Sequence, residues 1–182
     1  MSTNAKQQHS LRSLVEGAIM VAVAFALSFV EIPVGLYGGS IEFVMIPLIV
    51  YSLRRGTAWG LGAGLVFGTV KYFSTGWALN WASILLDYSI AYMAVGIAGM
   101  AKDRPGGYIW GPLAGCFMRF VIHFISGIVL YAEYMPEEFL GLTMTSLPLY
   151  SIIYNGLFML PNTVIAIIVC SILAKPMKRI KL

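Results

Sequence analysis

Charge is what this sequence has least of. Of its 182 residues only 11% are Asp, Glu, Lys or Arg, while 59% are hydrophobic and the mean hydropathy is +0.82. A typical soluble domain carries about 25% charged residues. So few charges cannot cover a water-facing surface, and so apolar a chain does not stay disordered. Cysteine is scarce as well. Cys116 and Cys170 both sit in apolar runs with no nearby His, so neither a disulfide framework nor a metal site is expected and both read as packing residues. No Gly-Lys-Ser/Thr loop occurs, and the run Gly60-Leu-Gly-Ala-Gly64 follows no strand, so the chain has no ATP site of its own. Ser–His–Asp, HExxH and CxxC sets are missing too, which argues against an enzyme, and no cofactor is expected. Alternating ten-residue strands, the mark of a membrane β-barrel, are not found.

What is there is a series of apolar segments, at about 14–30, 41–53, 57–73, 81–101, 108–134 and 147–174. At about 20 residues per crossing the chain has room for six or seven membrane helices and little else. The polar stretch Met1–Ser13 leads into the first segment without a small-residue cleavage site, so that segment reads as a retained helix, not a signal peptide. The second segment is short and contains Pro47. Alone it could be re-entrant, and the charges decide. If all six segments cross, Lys6, Arg12, Arg54, Arg55, Lys102, Arg104, Lys175, Lys178, Arg179 and Lys181 fall on one side, and the opposite loops hold Glu31, Glu133, Glu137 and Glu138 with no Lys or Arg. By the positive-inside rule the basic side is the cytoplasm. The expectation is therefore an all-α integral membrane protein, one domain over 1–182, with six transmembrane helices and both termini cytoplasmic. The net charge of +4 reflects this sidedness and implies no nucleic-acid partner.

Polar residues within membrane helices are costly and point to function. Here they are Glu16, Glu42, Lys71, Asp87, Arg119, His123 and Asn155, with Tyr88, Tyr92, Tyr131, Tyr150 and Tyr154 nearby. Counting from segment ends places Glu42, Asp87, His123 and Asn155 in the outer half of four different helices. Arg119, His123, Gly127 and Tyr131 recur every four residues, one stripe of a helix, and Gly127 is expected to leave a notch between two rings. His123 alone could be a core histidine; its convergence with Asp87 and Asn155 favours a ligand site. Arg119 is expected to be structural, paired with a carboxylate or carbonyl or snorkelling inward, and Lys71 to snorkel outward. Glu16 reads as a helix-start charge. The glycines at 56, 60, 64 and 68 form one helix face suited to close packing. Two carboxylates among aromatic rings suit a cationic, aromatic ligand; they would equally serve a stand-alone proton-coupled carrier.

The segments Ile46–Gly56, Leu86-Asp87-Tyr88, Gly96–Gly99, Arg119–Gly127, Tyr150–Gly156 and Glu16–Ala22 together resemble the thiamin-specific S components of energy-coupling factor (ECF) transporters, the ThiT/YuaJ family. The resemblance runs in order along nearly the whole chain. It implies a membrane subunit that binds thiamin with high affinity from outside. Such a subunit has no ATPase and docks on a module of one transmembrane coupling protein and two ABC ATPases. It assigns the ligand to Glu42, Asp87, Tyr88, His123, Gly127, Tyr131, Tyr150 and Asn155, with Phe67 where the family has a helix-3 Trp and Tyr37 at the mobile first outer loop. Asp87, Tyr150 and Asn155 would take the aminopyrimidine, His123 and Tyr131 would flank a ring, and Glu42 and Tyr88 would lie near the thiazolium. Ala18 and Ala22, extended by Ala26, match the small-residue pattern that contacts the coupling protein. An S component for another small vitamin or a thiamin precursor is the alternative within this architecture.

Overall fold

The computed structural model describes residues 2–34 and 39–179, with side chains over 6–34, 39–74 and 76–177. Among them run six helices: α1 (Ser2–Leu27), α2 (Met45–Arg55), α3 (Thr57–Thr75), α4 (Trp81–Ala101), α5 (Gly107–Leu130) and α6 (Leu147–Arg179). Two antiparallel hairpins join them at one end of the bundle: β1 (Glu31–Pro33) with β2 (Ser40–Glu42), and β3 (Glu138–Phe139) with β4 (Leu142–Thr143). In α1, α4, α5 and α6 the hydropathy and length suffice to cross a membrane.

α2 differs from the sequence expectation. It starts at Met45; of the residues expected as its first turn, Ile41 and Glu42 belong to β2, and Phe43 and Val44 turn the chain into the helix. Eleven residues rise about 16 Å, half a bilayer core. Every residue from Met45 to Leu53 is buried, so the bundle encloses α2 on all sides. Non-helical backbone such as β2 is tolerated at membrane depth only when protein surrounds it. Pro47 lies in the first turn, where its missing N–H has no intrahelical partner to lose. Gly56, at φ 94°, ends α2 in a conformation that disfavours any side chain, and the chain reverses directly into α3.

α3 and α4 meet backbone to backbone. A methyl group on Gly64 would lie 2.2 Å from the Tyr92 carbonyl oxygen, and one on Gly68 2.3 Å from that of Tyr88. The glycine face is thus consumed by packing. α4 itself changes pitch. Asn80 caps it, its side chain accepting from the Ala82 and Ser83 N–H groups at 2.9 and 3.0 Å. Residues Ile84–Ile90 then take the wider π geometry, Ala91–Val95 return to α, and Gly96–Ala101 tighten to 3₁₀.

α1 is stapled to α2. The Tyr51 hydroxyl donates to the Ser13 carbonyl at 2.7 Å, and Glu16 pairs with both Arg54 and Arg55. Glu16 is therefore an inter-helix bridge and not a simple helix-start charge; its partners lie 38 and 39 residues away, out of reach of local spacing. The opposite face of α1 presents Ala18, Ala22 and Ala26 outward between Leu14, Val15, Ile19 and Val23. α5 ends at Leu130, four residues before the expected end, and Tyr131 leaves the helix at φ −110°. Cys116 and Cys170 are fully buried in the core.

Candidate functional site

At the hairpin end, α3, α4, α5 and α6 part around a cavity of about 520 Å³, within the range of small-molecule sites. α2 is too short to fill this space, and the β1–β2 hairpin forms part of its wall.

Its floor is an ion cluster. Glu42, only 2% exposed, pairs with Lys71 and with Arg119 Nη1 at 3.0 Å and accepts from the Tyr92 hydroxyl at 2.5 Å. The Arg119 contact is an ion pair whose angle falls outside hydrogen-bond geometry. The guanidinium also sits 4.0 Å from the Tyr92 ring centre, a cation–π contact. Lys71 therefore does not snorkel outward: it is 8% exposed and reaches inward, its Nζ also 3.7 Å from Glu31 Oε2 of β1. A lysine near a helix end lengthens its reach either way; the paired acids Glu31 and Glu42, which are register partners in the hairpin, set the direction. Arg119 has the carboxylate partner expected of it, and it also lines the cavity.

Above this floor a second set converges. Arg119 Nε donates to His123 Nε2 at 3.3 Å. That contact places the imidazole proton on Nδ1, which faces Asp87 Oδ1 at 3.4 Å. The other Asp87 oxygen accepts from the Tyr131 hydroxyl at 2.9 Å. Tyr131 makes this contact from just beyond α5. Asp87 and Tyr88 both belong to the π segment of α4, a feature common at functional sites. Tyr88 holds the loop before α4, donating to the Trp77 carbonyl at 2.8 Å and accepting from its N–H at 2.9 Å.

α6 supplies the facing wall. The Asn155 amide donates to the Ser151 carbonyl at 2.9 Å and to its hydroxyl at 3.1 Å. Tyr150 is 7% exposed and packs edge-on against Phe139 of β3. Phe158 stands against the His123 ring at 5.7 Å. The notch at Gly127 is not open for a ring: a methyl group there would lie 2.3 Å from Ser151 Oγ, so α6 fills it, although Gly127 still borders the cavity.

Of the residues expected at the site, Glu42, Asp87, Tyr88, His123, Gly127, Tyr131, Tyr150 and Asn155 line one cavity. Phe67 does not; it is fully buried behind the wall, edge-on to Tyr92 at 4.7 Å. Tyr37 lies outside the described residues. Sequence reasoning did not assign Glu31, Trp77, Ser151 or Phe158 to the site, and it gave Lys71 and Arg119 other roles. Ser151, Asn155, Phe158 and Asn162 share a stripe of α6 at helical spacing, the one signal that could have found part of this set. Among the lining residues three carboxylates, Glu31, Glu42 and Asp87, face two fixed cations, Lys71 and Arg119. The cavity thus carries one surplus negative charge when His123 is neutral.

Comparison with known proteins agrees over nearly the whole chain. The family described as thiamine transporter protein (Thia_YuaJ) matches residues 14–182. The thiamine transporter ThiT of Lacticaseibacillus paracasei is 31% identical over 185 residues, covering 92% of this chain and 89% of that one. ThiT of Bacillus subtilis is 32% identical over 184 residues, covering 90% and 91%. A solved structure of ThiT from Listeria monocytogenes superposes with a TM-score of 0.79 at 25% identity, covering 92% of this chain and 96% of that one.

Proposed function

Because the chain belongs to the thiamine transporter protein (Thia_YuaJ) family, we propose that it is the thiamin-capturing S component of an ECF-type transporter. The observation that carries this reading is the cavity's charge and shape together. One surplus negative charge, aromatic walls and a carboxylate with both oxygens already oriented suit a flat monocation bearing an amine.

Asp87 would accept from the exocyclic amine of the aminopyrimidine, its rotamer set in advance by Tyr131 and His123. Asn155 and Tyr150 would complete that end. The rings of His123, Tyr131 and Phe158 would enclose the ligand. The thiazolium charge would balance the one negative charge left when Glu31, Glu42 and Asp87 are set against Lys71 and Arg119. Preorganised polar groups lower the cost of ordering on binding.

The sidedness of the basic residues supports both termini in the cytoplasm and a cavity that opens outward from the cell membrane. The outward Ala18, Ala22 and Ala26 of α1 offer close approach to a helical partner, here the coupling protein of a module with two ABC ATPases. Titration calorimetry of the detergent-purified chain with thiamin tests the reading. The expected dissociation constant is below about 1 μM, or about −8 kcal/mol. Weaker binding, or uptake by the chain alone in ATPase-free vesicles driven by a pH gradient, would overturn it.

A further inference from the structure

One buried side chain holds the site without bordering it. Asn162 of α6 is 1% exposed. Its Oδ1 accepts from the Glu42 backbone N–H at 2.8 Å, and its Nδ2 donates to the Ser40 carbonyl at 2.8 Å. The carboxamide therefore matches β2 as a neighbouring strand would, with one donor and one acceptor two residues apart. It joins residues 120 and 122 positions apart in sequence. One helical turn away, Phe158 supports the same hairpin: a side chain on Gly39 would meet its ring at 2.6 Å.

The consequence runs through Glu42. Its side chain is the common partner of Lys71, Arg119 and Tyr92, and its backbone is fixed by Asn162. A backbone N–H in so dry a place needs a partner, and no sheet neighbour stands on that side of the described two-stranded hairpin. We infer that Asn162 is a positioning residue of the ligand site: by pairing twice with the edge of β2 that faces away from β1, it sets where the Glu42 carboxylate meets Lys71 and Arg119. This rests on the proposed ligand site only for its effect on affinity; the clamp itself is tested without ligand.

The test uses the full chain in detergent with thiamin as the probe. Asn162→Leu keeps the volume and removes both hydrogen bonds. Hydrogen exchange at the Glu42 amide is expected to rise about tenfold or more in the ligand-free protein, since that bond no longer opens at a cost. Thiamin affinity is expected to fall by about tenfold, and by less than about threefold when Glu42→Gln is already present, because coupled residues are non-additive. Asn162→Gln, which displaces the amide by one methylene, covers the case in which the leucine variant does not fold; faster exchange and an affinity loss of about threefold are expected. Unchanged Glu42 exchange would overturn the inference. So would an equal affinity loss with and without Glu42→Gln, which would make Asn162 a general stability residue. If the wild-type chain fails to bind thiamin, the ligand reading falls, while the exchange measurement still decides the clamp.

Discussion

Two clusters in this molecule share a core of one glutamate with two cations and differ in how far the acid is buried. Glu16 with Arg54 and Arg55 joins α1 to α2, its side chain 14% exposed and its partners 15% and 8%. Glu42 with Lys71 and Arg119 joins β2 to α3 and α5, its side chain 1% exposed beside a cavity. In the first, the acid keeps partial access to water, so its desolvation is incomplete and the pair serves as a staple between two helices. In the second, the charges depend more strongly on one another, because the acid is almost fully buried and both its cations are less than about a tenth exposed. The second arrangement is a poor way to gain stability and a good way to hold charges at fixed points facing a ligand. The difference lies in what surrounds the groups and not in the groups.

The contrast can be broken by mutation. Glu42→Ala leaves two buried cations without their shared acid and is expected to cost about 3–5 kcal/mol of stability. Thermal unfolding in detergent would read this, with thiamin binding lost; a stability change under about 1 kcal/mol would show that water already reaches the cluster. Asp87→Ala and Asn155→Ala are each expected to weaken thiamin by about 1–3 kcal/mol, read by calorimetry, and wild-type affinity in either would remove that residue from the site. Tyr131→Phe keeps the ring but drops the hydrogen bond to Asp87, for an expected loss of about 0.5–1.5 kcal/mol in affinity. An analogue lacking the exocyclic amine should not register that change, and equal losses for both ligands would contradict the assigned role of Asp87. Glu16→Gln is expected to lower stability by about 1 kcal/mol or less and to leave thiamin affinity within about twofold. A larger loss of affinity would mean that the two clusters are coupled.

Much of this was legible in the sequence because membrane proteins expose their logic in composition. The side on which each basic residue fell decided that the segment around Pro47 belonged with the helices, and the six-helix bundle follows. Asp87, His123 and Asn155, which line one cavity, stand out in the sequence because charge and amide groups are expensive in apolar helices. The misreadings share a cause: each depended on a partner far away in sequence. Ile41–Val44 passes for the start of a helix, yet Ile41 and Glu42 are strand, held between β1 on one edge and Asn162 of α6 on the other. Lys71 near a helix end looked like an outward cation, and Glu31 and Glu42 turned it inward. The space beside Gly127 looked vacant from α5 alone, and Ser151 occupies it. Phe67 has the right residue type and helix, but Tyr92 stands between it and the cavity. Such pairings are long-range facts that local spacing does not encode.

The π segment at Ile84–Ile90 divides α4 into two parts with separate phase. Below it, the Tyr92 carbonyl meets Gly64 of α3; within it, the Tyr88 carbonyl meets Gly68 while Asp87 and the Tyr88 side chain border the cavity. A regular α-helix advances about 100° per residue, so one residue deleted inside the segment would swing the residues before the deletion, back to Trp81, to a different compass bearing relative to those after it. The packing half of α4 could then remain seated against α3 while the acid faced lipid. Chain length across these seven residues is thus a coordinate of the site in its own right, as binding on function as the identity of Asp87.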